Sequence, residues 1–427
     1  MSQGALPGFR DFYPDQLATR NYLMSVWRDI ARRYGFVEYD GPPLEPLELY
    51  TRKSGDEIVG QLYTFTDRGD REVALRPEMT PTLARMVAAK ANAMRKPIRW
   101  FSIPQLFRYE RQQKGRLREH FQLNVDIIGE SSIAADAELL AVAIDIMRAL
   151  GLDSSDVRAR ISDRRLLTAA LTSVGAAQNE LASVFAAIDK AGREPREVTL
   201  DKVDKAVRNP DARKGVERLL ANSKDLDAMA RDFADSPEVV EEVSRMREYM
   251  SFLSALGVSD WVDFDLSIVR GLAYYTGKVF ELFDAKGEFR AICGGGRYDD
   301  LLGTIGGVDL PALGFGMGDV VLTEILRARK LLPEAVLGTE YWVASDDDSM
   351  LPDVMSVAGR LRAKSRSVEY ALKSQTLARQ LKTASTAGVQ SVVLLRRPDF
   401  ENGKITVKTM ADGSERSVTL DAFLESL

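Results

Sequence analysis

The sequence predicts an α+β protein: an antiparallel sheet flanked by helices, a helical insertion, and a C-terminal α/β domain. Three observations carry this. Strand-like stretches, some alternating polar and apolar residues, fall before residue 130 and again from residue 260, with helical patterns between them. Residues 155–256 carry only charged, helix-spaced segments. The last segment alternates strand and helix patterns, as a small α/β domain with a mainly parallel sheet would.

Residues 17–34 space apolar and charged positions as a helix does and stop at Gly35, a natural C-cap. An extended stretch follows, broken by Pro42, Pro43 and Pro46. LYTFTD and REVALRPE flank an RGD turn, a hairpin over residues 62–78. Thr80 and Pro81 fit the N-cap and first residue of a helix reaching Ala93.

Residues 105–129, QLFRYERQQKGRLREHFQLNVDIIG, read as a second hairpin. Leu106, Arg108 and Glu110 share a face of its first arm. On the second arm Arg118, His120, Gln122, Asn124 and Asp126 face one way, while Leu117, Phe121, Leu123, Val125 and Ile127 face the other. Glu119 is the exception on the apolar side. Two readings are open for the polar face: a water-facing strand, or a bed for an anionic, hydrogen-bonding substrate. The bases Arg111, Lys114, Arg116 and Arg118 around the turn favour the second.

An apolar helix over 134–150 comes next, then the helical insertion at 156–259. KVFELFD pairs with FRAIC around an AKGE turn, and the chain enters a loop at residues 294–296. A strand and helix in ALGFGMGDVVLTEILRARK precede a linker at 333–339 and the terminal domain at 340–427.

A chain of 427 residues exceeds one ordinary core, so several domains are expected. A net charge of −5 argues against a basic nucleic-acid coat and leaves room for a local basic patch. Cys293 and His120 are single, which excludes intrachain disulfides and a zinc cluster and leaves little scope for a Ser–His–Asp triad. Chemistry would then run through arginine, carboxylate and tyrosine groups, or a bound hard cation. No apolar run suggests a signal peptide, membrane anchor or bilayer span.

GGGRYDD lacks the ending of a phosphate loop and the spacing of a dinucleotide fingerprint, so by itself it reads as a tight turn before a helix. IVRGLAYYTG places Arg270 beside Tyr274 and Tyr275, which are either core residues with satisfied hydroxyls or site residues. Glu78 and Thr80 also fit a helix N-terminal charge and a cap.

In this order the motifs resemble those of the histidyl-tRNA synthetases, class II aminoacyl-tRNA synthetases, over nearly the whole chain. GFRDFYP is similar to the family's opening, GFVEYDGPP to motif 1, LRPEMT to the family's LRPEGT, and FRYERQQKGRLREHFQ to motif 2. IVRGLAYYTG and GGGRYDDL resemble its two histidine signatures. The resemblance implies a class II catalytic core at 1–155 and 260–332, an anticodon-binding terminal domain, and ATP-dependent attachment of histidine to tRNA(His). It implies ATP as substrate with Mg2+, no dedicated metal ligands, and a cytoplasmic homodimer.

By the same resemblance, Glu78, Thr80 and Gln122 would hold the histidine amino group, with Asp126, Tyr275 and Tyr298 near its imidazole. Arg108 and Arg270 would contact the carboxylate and α-phosphate as catalytic groups. Arg108, Glu110, Arg116 and Arg118 would line the ATP site, and Arg111 and Gln113 would read the tRNA acceptor end. Such activation brings two anions together, so positioning and positive charge do most of the work.

The chain departs from the family pattern at four places. Val320 and Val321 stand where motif 3 has its Glu–Arg pair, Ala273 replaces an Asp, Asp126 replaces a Glu, and RQQKG lacks a proline. Arg116 and Arg118 are the expected stand-ins for the missing motif 3 cation. The alternative readings are a non-catalytic paralogue, the histidine-sensing regulatory subunit of ATP phosphoribosyltransferase, and a synthetase-like protein that activates another amino acid.

Overall fold

The computed structural model describes residues 4–51, 60–110, 115, 117–189, 194–270, 274–334 and 338–427. The chain divides into two compact units, Met1–Asp11 with Arg20–Pro333, and Phe12–Thr19 with Glu334–Leu427.

The first unit holds, in chain order, β1 (Val37–Glu38), β2 (Leu44–Pro46), β3 (Tyr63–Thr66), β4 (Glu72–Leu75), β5 (Ile98–Ser102), β6 (Gln105–Phe107), β7 (Glu119–Ile128), β8 (Val157–Asp163), β9 (Val262–Phe264), β10 (Lys278–Asp284), β11 (Cys293–Arg297) and β12 (Ala312–Gly318). The large sheet runs β1–β5–β7–β12–β11–β10–β8–β9, with β6 paired to β7 beside that path, and β2–β4–β3 form a small sheet. In the large sheet, β1–β5 and β8–β9 are parallel and the other pairings antiparallel.

One face of the large sheet carries Leu123, Val125, Ile127, Leu313, Phe315 and Met317 into the main core. Each such side chain contributes ~1.5–3 kcal/mol by leaving water. The helix Ile133–Ala149 packs in that core and is buried almost all round, so it reads as apolar rather than amphipathic. β8 lies inside the stretch expected to be helical insertion. Its Val157, Ala159 and Ile161 alternate with Arg158, Arg160 and Ser162, and it pairs with β10 along its whole length.

Six described helices lie between β8 and β9: Arg164–Ser173, Leu181–Ile188, Arg196–Ala206, Pro210–Ala221, Leu226–Asp232 and Pro237–Ala255. Asp163, Asn209 and Asp225 cap three of them with side-chain carbonyl or carboxylate oxygens. Their apolar faces join the same core as the sheet.

Two local expectations shift. The helix Thr80–Lys90 has Met79 at the cap position, so Thr80 is its first residue rather than its cap, and a 3-10 turn carries on to Ala93. Residues 294–296, expected as a loop, lie within strand β11.

In the second unit β13 (Tyr341–Ser345), β14 (Val368–Tyr370), β15 (Ser391–Leu395), β16 (Lys404–Thr409) and β17 (Glu415–Thr419) form a sheet of order β14–β13–β15–β16–β17. Two pairings are parallel and two antiparallel, so the sheet is mixed rather than mainly parallel. A turn through Asp412 and Gly413 (φ +72°) returns the chain as the hairpin β16–β17. Among the described residues no helix is long and apolar enough to cross a membrane.

Candidate active site

β7 sets the site because its two faces differ. Opposite the core-facing residues stand Gln122, Asn124 and Asp126, by strand alternation. Their partners across the ladder are Gly318, Gly316 and Gly314 of β12. Gly316 and Gly314 in turn oppose Gly294 and Gly296 of β11. A Cβ on Gly314 would lie 2.0 Å from Asp126 Oδ1, on Gly316 2.7 Å from Gln122 Nε2, and on Gly294 1.9 Å from Arg270 Nη1. The glycines thus form a bare floor over which those three side chains lie. A strand glycine here marks close approach, not a bend, which is why Gly294–Arg297 is extended, and the turn before the helix Leu301–Gly306 falls at Asp299 and Asp300.

One end of the floor is closed by aromatic rings and a carboxyl group. Tyr298 Oη donates to Asp126 Oδ1, and the two residues are 2% and 4% exposed. Burial pushes the Asp126 carboxyl up to about 7, against the pull of that hydrogen bond. Tyr274 packs edge-on to Tyr298 at 5.9 Å and against Tyr275 at 5.0 Å. Tyr275 is buried within a core cluster and lies close enough to Arg270 for the guanidinium charge to act on its hydroxyl. Glu78 is buried close enough for its charge to act on both tyrosines, just ahead of the helix Thr80–Lys90.

Sequence reasoning missed Tyr39. Its ring lies against Trp100 at 5.2 Å, and its hydroxyl is buried with no hydrogen-bond partner among the described residues. Burial first, then the Asp126 charge, raises its pKa well above the usual phenol range. GFVEYDGPP gave no signal of this, because Tyr39 reaches the site only through the pairing of β1 with β5.

At the other end Arg270 donates through Nη1 to Glu281 Oε1 of β10. Its backbone sits at φ +61°, a conformation costing a non-glycine residue ~1–3 kcal/mol and concentrated at functional sites. Its Nε is buried without a partner among the described residues. A cavity of about 460 Å³ adjoins Arg270 and Glu281, walled by Arg160 and by Arg196, Ser223 and Lys224 from the helical segment. Arg108 donates through Nε to the Pro77 carbonyl at 2.9 Å, and its Nη1 lies 3.9 Å from Glu110 Oε1.

Arg118 is not brought to the floor. Its guanidinium lies 4.0 Å from the Tyr109 ring centroid, and it donates to the Glu110 and Pro7 carbonyls. Arg111, Gln113, Arg116 and Ala273 lie outside the described residues. His120 opposes Leu106 and is half-buried. Burial, Arg108 and Arg10 push its pKa down to about 3, so it is neutral at physiological pH.

Val320 and Val321 sit on the helix Asp319–Ala328, where Val321 packs against the main core. Arg10 bridges Asp319 at 2.8 Å and Glu119 at 2.6 Å. That bridge explains the charged residue on the apolar side of β7. Among the described residues no group of three or more His, Cys, Asp or Glu is arranged to hold a metal.

A sequence model described as histidyl-tRNA synthetase matches residues 8–319, well over half of the chain. The chain belongs to the histidyl-tRNA synthetase family. A second model, described as an anticodon binding domain, matches residues 338–427. The chain is 41% identical over 424 residues to the histidine–tRNA ligase of Opitutus terrae, covering 97% of this chain and 95% of that protein. It is 40% identical over 419 residues to the chloroplastic/mitochondrial histidine–tRNA ligase of Arabidopsis thaliana, covering 97% and 84%. Its fold is similar to the crystal structure of histidyl-tRNA synthetase from Nostoc sp., with a TM-score of 0.83 at 23% identity, covering 100% and 99%. Family membership thus coexists with a helix, Asp319–Ala328, that carries Val320 and Val321 where the resemblance leads one to expect a Glu–Arg pair.

Proposed function

We propose that the chain is a histidine–tRNA ligase. It joins histidine to the α-phosphate of ATP and passes the histidyl group to tRNA(His). The observation that carries this reading is the buried Asp126–Tyr298 pair, linked by a glycine floor to the half-buried cation Arg270.

Asp126 accepts the imidazole N–H, and Tyr298 fixes the carboxyl group that does so. A ligand without that N–H would leave buried polar atoms unpaired, a strong source of selectivity. Glu78, Thr80 and Gln122 hold the amino group, and Tyr275 packs by the ring. The histidine carboxylate attacks the α-phosphorus, the bond to the β-phosphate oxygen breaks, and pyrophosphate leaves with the electron pair. Arg108 and Arg270 offset the charge of the two meeting anions, and the unpartnered Nε of Arg270 is a donor that a phosphate oxygen satisfies. In the second step a terminal ribose hydroxyl of tRNA attacks the histidyl carbonyl and AMP leaves. No enzyme nucleophile is needed in either step.

Mg2+ accompanies ATP, and Glu110 and Glu281, each ion-paired with an arginine of the site, are the carboxylates that would hold it, with water and phosphate as its other ligands. Bound there, it would add positive charge at the phosphate oxygens. Arg111 and Gln113 contact the tRNA acceptor end, as the resemblance implies. We place the helical insertion between β8 and β9, residues 164–261, because both strands pair within the large sheet. Residues 340–427 bind the anticodon. A cytoplasmic homodimer is proposed on the family resemblance.

The test is charging. Purified protein with ATP, Mg2+, histidine and a tRNA(His) transcript should form histidyl-tRNA, and other amino acids should not. A chain that binds histidine but forms no product would favour the regulatory reading, which the two valines of motif 3 otherwise support.

A further inference from the structure

The motif 3 helix offers valine where a cation is expected, and the expected stand-in Arg118 lies over Tyr109. One observation brings an arginine to the same place: a Cβ built on Gly115, in the turn of the 105–129 hairpin, would lie 3.4 Å from Val321 Cγ2 and 3.8 Å from Arg290 Cδ. The Arg290 and Val321 side chains therefore meet at one glycine.

The turn bearing Arg290 is anchored on both sides. The buried Asp284 carboxylate accepts the backbone N–H groups of Glu288 at 2.7 Å and Phe289 at 3.2 Å. Arg329 donates to Asp284 at 2.8 Å and to Glu288 at 3.1 Å. Phe289 packs against the main core, and the Ile292 N–H donates to the Leu282 carbonyl at 2.8 Å. Arg290 itself is exposed. A fixed backbone under an exposed guanidinium suits recognition of a mobile anion, because little backbone entropy is lost on binding.

We propose that Arg290 is the cation that motif 3 does not supply, and that it binds the β- and γ-phosphates of ATP. The proposal rests on the reading of this site as an ATP site. Arginine suits the task because its planar fork stays charged and can grip phosphate oxygens in pairs.

Equilibrium binding of ATP and of AMP to the full chain separates a phosphate contact from a structural role. Arg290→Ala should weaken ATP binding about tenfold or more, the scale of one charge-assisted hydrogen bond, and leave AMP binding unchanged. Arg290→Lys should fall between. Restoring a cation from the helix, as Arg290→Ala with Val321→Arg, should recover part of the loss. Unchanged ATP affinity in Arg290→Ala, or equal losses for ATP and AMP, would overturn the proposal. Absence of histidine-dependent activity in the parent protein would instead overturn the proposed function, and the ATP–AMP comparison would still decide Arg290.

Discussion

The hydroxyl of Tyr298 donates to the carboxyl group of Asp126, 172 residues away along the chain, and both groups are buried. Burial sets Asp126 at about 7, so it changes charge within the working pH range. Only the ionised form accepts an imidazole N–H through either oxygen. The kcat/KM for histidine should therefore fall as pH drops through about 7 and level off above it. A histidine analogue whose ring does not titrate near neutrality isolates the enzyme's contribution. Asp126→Asn should remove the limb. Tyr298→Phe should move it to higher pH, because the lost hydrogen bond had favoured the anion.

The floor glycines predict a second effect. A Cβ at Gly294 would sit 1.9 Å from Arg270 Nη1, so Gly294→Ala must displace the guanidinium. Exchange activity should fall toward that of Arg270→Ala, a loss of roughly 10²–10³-fold by analogy with a removed oxyanion donor. The double variant should be little worse than either single one. Additive losses would show that Gly294 acts elsewhere.

His120 is the only histidine in the chain and stands on the polar face of β7, yet it is neutral above about pH 3. It is therefore not an acid–base catalyst here. His120→Phe should leave the shape of the pH profile unchanged and cost far less than the ~10²–10⁴-fold of a lost general base. A vanished inflection in that profile would contradict this.

Arg297 of the GGGRYDD stretch has a structural task. It is 4% exposed, reaches both Asp136 oxygens at 3.1 and 2.7 Å, and donates to the Glu130 and Ser132 carbonyls. Arg297→Met should leave Asp136 buried and uncompensated and cost ~3–5 kcal/mol, read as a lower urea midpoint. Replacing both partners with apolar residues should recover much of that loss.

Much of this site was legible in the sequence because period-two alternation separates its faces. β7 could be read almost residue by residue, down to Glu119 as the one anomaly, whose partner Arg10 lies too far along the chain for any local pattern to reveal. The glycines of β11 were misplaced because glycine marks turns by default, and a close approach becomes visible only once Arg270 crosses the strand. β8 was lost in the helical segment because its charged alternate residues, Arg158 and Arg160, resemble a solvated helix. Arg118 matched the motif, but its guanidinium settles over Tyr109, a contact that spacing does not encode. Tyr39 depends on strand register and Arg290 on a close approach at Gly115, both between distant segments, which composition does not carry.

Histidine-dependent exchange of pyrophosphate into ATP tests the central claim most directly, because it reads activation without tRNA. The purified chain should exchange with histidine and Mg2+ well above background, should not exchange with other amino acids, and should lose the activity in Arg270→Ala. Histidine binding with no exchange above background would contradict the ligase reading and favour a regulatory role for the same pocket.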